Sequence, residues 1–251
     1  MKGERKLSLD VALLASFAAL YAVVLKLLPG IPAYGFPGAK IKVAVVLSPI
    51  YGFVLGQALA PSSILLGTIL AMLIAPSKYT AFSLATVFCA PLGALSAALV
   101  FDKRRILGAP KWIYSLAIYL ALYAAWILTD VGRGALLYTA PYAVVMGLLI
   151  ADGAARRSSA ERHGRILTML HLLTGSAAGI FADHFLGSLE AIVVFRYLLE
   201  SVKPDTLTAV YLAAIPVVLV ERGLMLLLSL IIVLNLYLVI GKSRYIRVKV
   251  D

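Results

Sequence analysis

Cysteine is nearly absent from this chain: Cys89 is the only one in 251 residues. A disulfide within the chain is therefore excluded, and a zinc site would need several ligands held together. Cys89 lies inside an apolar run, where the expected role is small core packing. Histidine is scarce as well. His163, His171 and His184 are not spaced as a metal set, so neither a metal nor another cofactor is expected. The chain also lacks charge, with 14% of residues charged against about a quarter in soluble domains. The patterns G-x-x-x-x-G-K-[ST], H-E-x-x-H and G-x-S-x-G do not occur, which removes the Walker A route to ATP and two common hydrolytic sites. No A-x-A-type cleavage site closes the first apolar run, and further runs follow it. The basic start MKGERKLSLD therefore reads as the lead into a first membrane helix.

What the chain has in abundance is apolar surface. Hydrophobic residues make up 62% of it. Runs long enough to cross a bilayer recur along the whole length, so the expectation is an all-α polytopic membrane bundle in one integral domain, residues 1–251. The net charge of +11 would suggest nucleic acid in a soluble protein. Here the basic residues sit in short polar loops between apolar runs, as membrane orientation requires, so no nucleic-acid partner is expected.

The first span covers about 9 to 28, ended by Pro29. Val43 to Ala75 carries no charge. As one helix it would run roughly 50 Å, too long for a single crossing. Gly56 and Pro61 divide it into two short or broken helices, about 41 to 57 and 61 to 75. Further spans follow at about 79 to 101, with a kink at Pro91, and at 112 to 129, 134 to 151 and 166 to 187. Residues 188 to 205 read as an interfacial amphipathic helix carrying Glu190, Arg196, Glu200 and Lys203. The stretch 206 to 240 is interrupted by Pro216 and Glu221-Arg222, and its second part, Gly223 to Gly241, forms the last span. Alternating through about eight spans from a cytoplasmic N-terminus puts most of the 23 Lys and Arg residues on the cytoplasmic side, with both termini there. The loop Pro29 to Lys42 then lies outside.

The stretch around that loop carries a resemblance. The order AALYAVV, LPGIP, a Gly-rich loop, IK and SPIYGFVLG, within Leu13 to Gly56, resembles the substrate-binding S components of energy-coupling-factor (ECF) ABC transporters. The likeness covers about residues 10 to 100 and is weaker over 166 to 240. It implies a six-helix core, in which case the hairpin at about 112 to 151 is an insertion. It implies that Ala15 and Ala19, four apart on one face of the first helix, dock a transmembrane coupling (T) protein that works with ATPase subunits. It implies that the loop after that helix lids a small water-soluble, vitamin-like substrate, and that the protein is a multi-pass resident of the plasma membrane. Its own chemistry would be binding, not catalysis.

Candidate binding residues come from charges at the outer ends of spans, because ionisable groups in a membrane usually face a cavity or the bundle interior. They are Asp130 and Arg133, Asp183 and His184, Glu221 and Arg222, and Lys40 and Lys42 beside the lid loop. Each also suits an interfacial ion pair or a snorkelling anchor. Tyr34, Tyr79, Tyr138 and Trp126 suit stacking on a planar ligand or an interfacial aromatic belt. Two other classes stay open. An integral membrane enzyme acting on lipid-linked substrates would need an interfacial acidic or histidine cluster. Asp152-Gly153-Ala154-Ala155-Arg156-Arg157 matches only the opening of the CDP-alcohol phosphotransferase signature, whose later Gly and Asp slots hold Ile166, Leu170 and Thr174. A stand-alone secondary transporter would need an ion-coupling acid near mid-membrane, where the spans are nearly free of them, and no internal repeat supports one.

Overall fold

The computed structural model describes residues 2–28, 30–32, 34, 40–76, 80–158 and 164–240. Nine helices and two short β pairs build it: α1 (Lys2–Leu27), β1 (Gly30–Pro32), β2 (Lys40–Lys42), α2 (Leu47–Ile74), α3 (Ala81–Ala85), α4 (Cys89–Phe101), β3 (Arg105–Ile106), β4 (Ala109–Pro110), α5 (Trp112–Leu128), α6 (Asp130–Gly134), α7 (Ala140–Ser158), α8 (Arg165–Ile192) and α9 (Pro204–Ile240). Among the described residues, six helical stretches are long and apolar enough to cross a membrane, and α5 is a shorter seventh. The architecture is an all-α bundle of the multi-pass membrane kind.

α2 is broken at Gly56, whose φ of 76° and ψ of −173° leave the helical region. Only glycine adopts such a backbone without strain. The chain folds back there. Before the break, Tyr51 donates its hydroxyl to the Phe17 carbonyl at 2.9 Å. After the break, Gly67 lies against the carbonyl of Ala18 on the same turn of α1. In a straight helix those two positions would stand about 24 Å apart. The break at Gly56 gives two arms, as the sequence leads one to expect, and Pro61 lies inside the second, five residues past the break.

The helices meet through small residues. A Cβ on Gly93 would come within 2.6 Å of the Gly179 carbonyl, and one on Gly52 within 2.8 Å of the Ala94 carbonyl. Without a hydrophobic drive between helices in lipid, such backbone approach supplies the van der Waals contact that holds them. α8 sits inside the bundle, its residues Thr174 to Ala182 all buried. α1 lies at the edge. Ala18, Tyr21, Ala22 and Leu25 face inward, while Ala15 and Ala19 are exposed.

Three expectations are corrected. Residues 188 to 205 do not form a separate interfacial helix. α8 continues to Ile192, then as a π-helical stretch to Leu198, and Ser188, Ala191 and Ile192 are buried. Two of the polar residues that suggested an interface are met by protein, Cys89 donating to Glu190 and Arg196 to Asp130, while Glu200 and Lys203 are exposed. The stretch 206 to 240 is one continuous helix, α9, so Glu221 and Arg222 lie in its middle and do not open a span. A partner on α8 allows the helix to carry them through. The break expected at Pro91 falls ahead of it, at the 3-10 turn Thr86–Phe88, leaving Pro91 in the first turn of α4.

At the end of the bundle where β3 and β4 form a hairpin, Leu107 and Gly108 take positive φ (49° and 79°) in its tight turn. Asp102 clamps both flanks, accepting from Arg104 Nη2 at 2.5 Å and from Lys111 Nζ at 2.6 Å. Burial alone would raise the Asp102 carboxyl. The hydrogen bonds from Arg104 and Lys111 outweigh it and hold the group well below the usual carboxylate range.

Two predictions follow from the packing and from this clamp. Gly93→Leu should lower the thermal midpoint in detergent by the equivalent of about 1 to 3 kcal/mol of overpacking. Gly147→Leu, at a position with nothing within 4 Å of its Cβ site, should leave it unchanged. For the clamp, a depressed native pKa means stability that is present above the ordinary carboxylate pKa of about 4 and is lost as pH falls through the lower folded value. Asp102→Asn should therefore cost about 2 kcal/mol at pH 7. That gap to the parent should close progressively in unfolding scans carried below pH 4.

Candidate functional site

α9 presents Tyr211, Ala214, Val218, Glu221 and Arg222 along one face, and α8 presents Asp183, His184, Gly187 and Ser188 toward it. Tyr21 and Leu25 of α1, Ile41 and Lys42 of β2, Thr68 and Met72 of α2, and Phe82 and Cys89 close the other sides. The result is a cavity of about 190 Å³, partly open, with Tyr34 at its edge. β1 and β2 pair antiparallel, Gly30 with Lys42 and Pro32 with Lys40, which carries the chain after α1 across this end of the bundle.

Two polar groupings line it. In the first, Arg222 is 2% exposed. Its Nη1 lies 3.4 Å from Asp183 Oδ2 and its Nη2 lies 3.6 Å from Glu221 Oε1. Both distances exceed the 2.7–2.9 Å usual for a charge-assisted bond. Arg222 Nε is buried with no hydrogen-bond partner. In the second, Tyr138 Oη lies 3.0 Å from His184 Nε2 and 3.0 Å from Ser188 Oγ. Tyr211 donates to the Ser188 carbonyl at 2.7 Å. The ring of Trp126 stacks behind Tyr138, with centroids 5.4 Å apart. Deeper still, Tyr142 stacks on Phe185 at 3.9 Å. On the far wall the Cys89 thiol donates to Glu190 Oε2 at 2.8 Å.

Of the residues picked from sequence, Tyr34, Asp183, His184 and Arg222 line this cavity, with Lys42, Tyr138 and Glu221. Asp130 and Arg133 do not. Asp130 accepts from Tyr197 and Arg196, and Arg133 reaches the Ile127 and Leu128 carbonyls at the end of α5. Both fasten the turn from α5 to α7, which Thr129 also caps by accepting from Gly132 N–H. Trp126 is core, not lining. Lys40 is described only through the backbone of β2, and Tyr79 lies outside the described residues, as do Pro29 and residues 35–39 of the lid loop. Sequence reasoning missed Ser188, Tyr211, Thr68 and the Cys89–Glu190 pair. The signal was there in the helical spacing: His184 and Ser188 are four apart, and Glu190 follows Asp183 by two turns of α8.

The opposite end carries Asp152, buried and held by Arg156 and by His171 Nδ1 at 3.2 Å. Its neighbours there are basic and aromatic, including Phe101 against His171. Among the described residues no group of three or more His, Cys, Asp or Glu is placed to hold a metal ion. No family model, curated protein or solved structure matches the chain.

Removing one member of a buried ion group strands the others, at about 3 to 5 kcal/mol, whereas removing both partners is close to neutral. Arg222→Met should accordingly destabilise the protein in thermal unfolding. Arg222→Met combined with Asp183→Asn should recover most of the loss. A double variant as unstable as the single one would mean that Asp183 is not the partner that matters.

Proposed function

We propose that this chain is the membrane-embedded substrate-binding subunit of an ECF-type ABC transporter, taking up a small water-soluble, vitamin-like micronutrient. The observation that carries the reading is the cavity beneath the β1–β2 hairpin, at the end of α1, with the Ala15 and Ala19 face of the same helix bare. In this reading the loop that follows the first helix lids the ligand, and the small-residue face receives a partner helix. In this reading the basic end, with Arg104, Lys111 and Arg156, lies in the cytoplasm of the plasma membrane, and both termini with it. The cavity opens outside. α1, the two arms of α2, α4, α5, α7, α8 and α9 make about eight crossings. The α5–α7 hairpin is then an insertion that contributes Tyr138 to the pocket. A T protein binds the α1 face, and ATPase subunits supply the energy. The subunit itself binds and does not catalyse.

A second reading has one observation in its favour. Asp183 and Glu221 lie well within α8 and α9, where a secondary transporter would carry its coupling acids. Uptake by the chain alone in proteoliposomes, driven by an ion gradient without ATP, would select that reading.

The docking face separates the two. Ala15→Trp or Ala19→Trp should abolish uptake in cells and co-purification of the coupling protein, while ligand binding by the isolated chain persists. A stable variant that keeps uptake and partners would overturn the assignment. So would one that loses ligand binding with its partners still attached.

A further inference from the structure

The β3–β4 hairpin turns on a residue that its backbone does not favour. Leu107 takes a φ of 49°, a left-handed conformation that suits Gly, Asn or Asp and strains a leucine. Its side chain is 96% exposed, so no packing within the chain offsets that strain. A polar residue would serve this turn better on both counts. Leu107 is therefore placed for something outside the chain.

Two contacts fix where the tip stands. The Tyr114 hydroxyl, in the first turn of α5, donates to the Ile106 carbonyl at 2.9 Å. Asp102, just past the end of α4, holds Arg104 and Lys111 at the two feet of the hairpin. The tip is thus tied close to the ends of two apolar helices, where lipid headgroups lie. Its flank is basic. Lys103, Arg104 and Arg105 are consecutive and exposed, and Asp102 is the only acid in residues 102–111. The segments 159–163 and 241–251, which follow α7 and α9 at the same end, carry two acids against five Lys and Arg residues, so by sequence they add positive charge as well.

An apolar tip beside exposed cations matches the boundary of a bilayer, where anionic phosphates lie directly above acyl chains. A stable protein contact needs roughly 800 Å² per partner, more than one leucine and a few cations supply. We propose that the β3–β4 hairpin is an interfacial anchor for an anionic phospholipid, with Leu107 in the upper acyl region and Arg104 and Arg105 at the headgroup phosphate. This rests on membrane residence alone and is independent of the substrate-binding role.

Leu107→Cys on a Cys89→Ser background, labelled with a nitrobenzoxadiazole fluorophore, reads the tip directly in the full chain in nanodiscs of phosphatidylcholine and phosphatidylglycerol. A nitroxide high on the acyl chain should quench the label, and aqueous iodide should not. Carried on phosphatidylglycerol, the nitroxide should quench at least about twofold more than at the same mole fraction on phosphatidylcholine, and Arg105→Gln should reduce that preference. Unlabelled Leu107→Asn separates insertion from folding, because Asn suits the turn. Its thermal midpoint in detergent should equal or exceed the parent's. The rise in midpoint that phosphatidylglycerol gives the parent over phosphatidylcholine should fall by about half or more in this variant. A label at position 107 reached by iodide and not by lipid nitroxide, as at a tip that docks on a soluble protein, would overturn the proposal. Equal quenching through the two lipids, a preference that Arg105→Gln leaves intact, or a Leu107→Asn chain that keeps the full phosphatidylglycerol effect would overturn it as well.

Discussion

The close approach of α8 to α4, where Gly93 and Gly179 leave no room for a methyl group, sets the terms for the rest of the bundle. It puts α8 inside, touching protein on most sides. Side chains from Asp183 to Glu190 then lie mostly against protein or on the cavity, and their polar groups are met largely by neighbours. Arg222 of α9 meets Asp183, Tyr138 meets His184 and Ser188, and Cys89 meets Glu190. The polar cavity is thus a consequence of small-residue packing one turn further in. A larger side chain at either glycine would push α8 outward and loosen every one of these contacts together.

The two ends of the molecule use charge differently. At the β3–β4 end, the carboxylates of Asp102 and Asp152 are each closed by two partners, while Arg156 Nε is left without one. In the cavity Asp183 and Glu221 share Arg222, at 3.4 and 3.6 Å. A closed grouping stabilises structure and has little left for a ligand. An open one leaves lone pairs unmet, a cost that a binding site recovers when its ligand arrives.

Much of the fold was legible because membrane helices announce themselves by length and apolarity. The fold-back at Gly56 could be read from the length of the uncharged run alone, since Val43 to Ala75 is too long for one crossing. Half of the site was legible for a similar reason: Asp183, His184 and Arg222 are expensive where they lie, so their presence asks for a purpose. What failed was any inference that used polarity as a boundary marker. Glu221-Arg222 read as the start of a span and Glu190 as an interface, because one chain's hydropathy cannot reveal that a partner waits on another helix. Asp130 and Arg133 failed in the opposite sense. Their turn does lie beyond the ends of α5 and α7, but it is bonded to itself and to Arg196 and Tyr197.

In the proposed reading the α1 face and the cavity divide the labour, with a partner on the outer side of one helix and a ligand chamber at its end. The central claim is that this chain binds a small soluble molecule and borrows its energy from other subunits. Extraction from native membranes in mild detergent, followed by mass analysis of everything retained, tests it most directly. The account predicts a transmembrane coupling protein and ATPase subunits together with a bound small water-soluble molecule. A solitary chain that retains a lipid-linked compound and converts it would contradict the account.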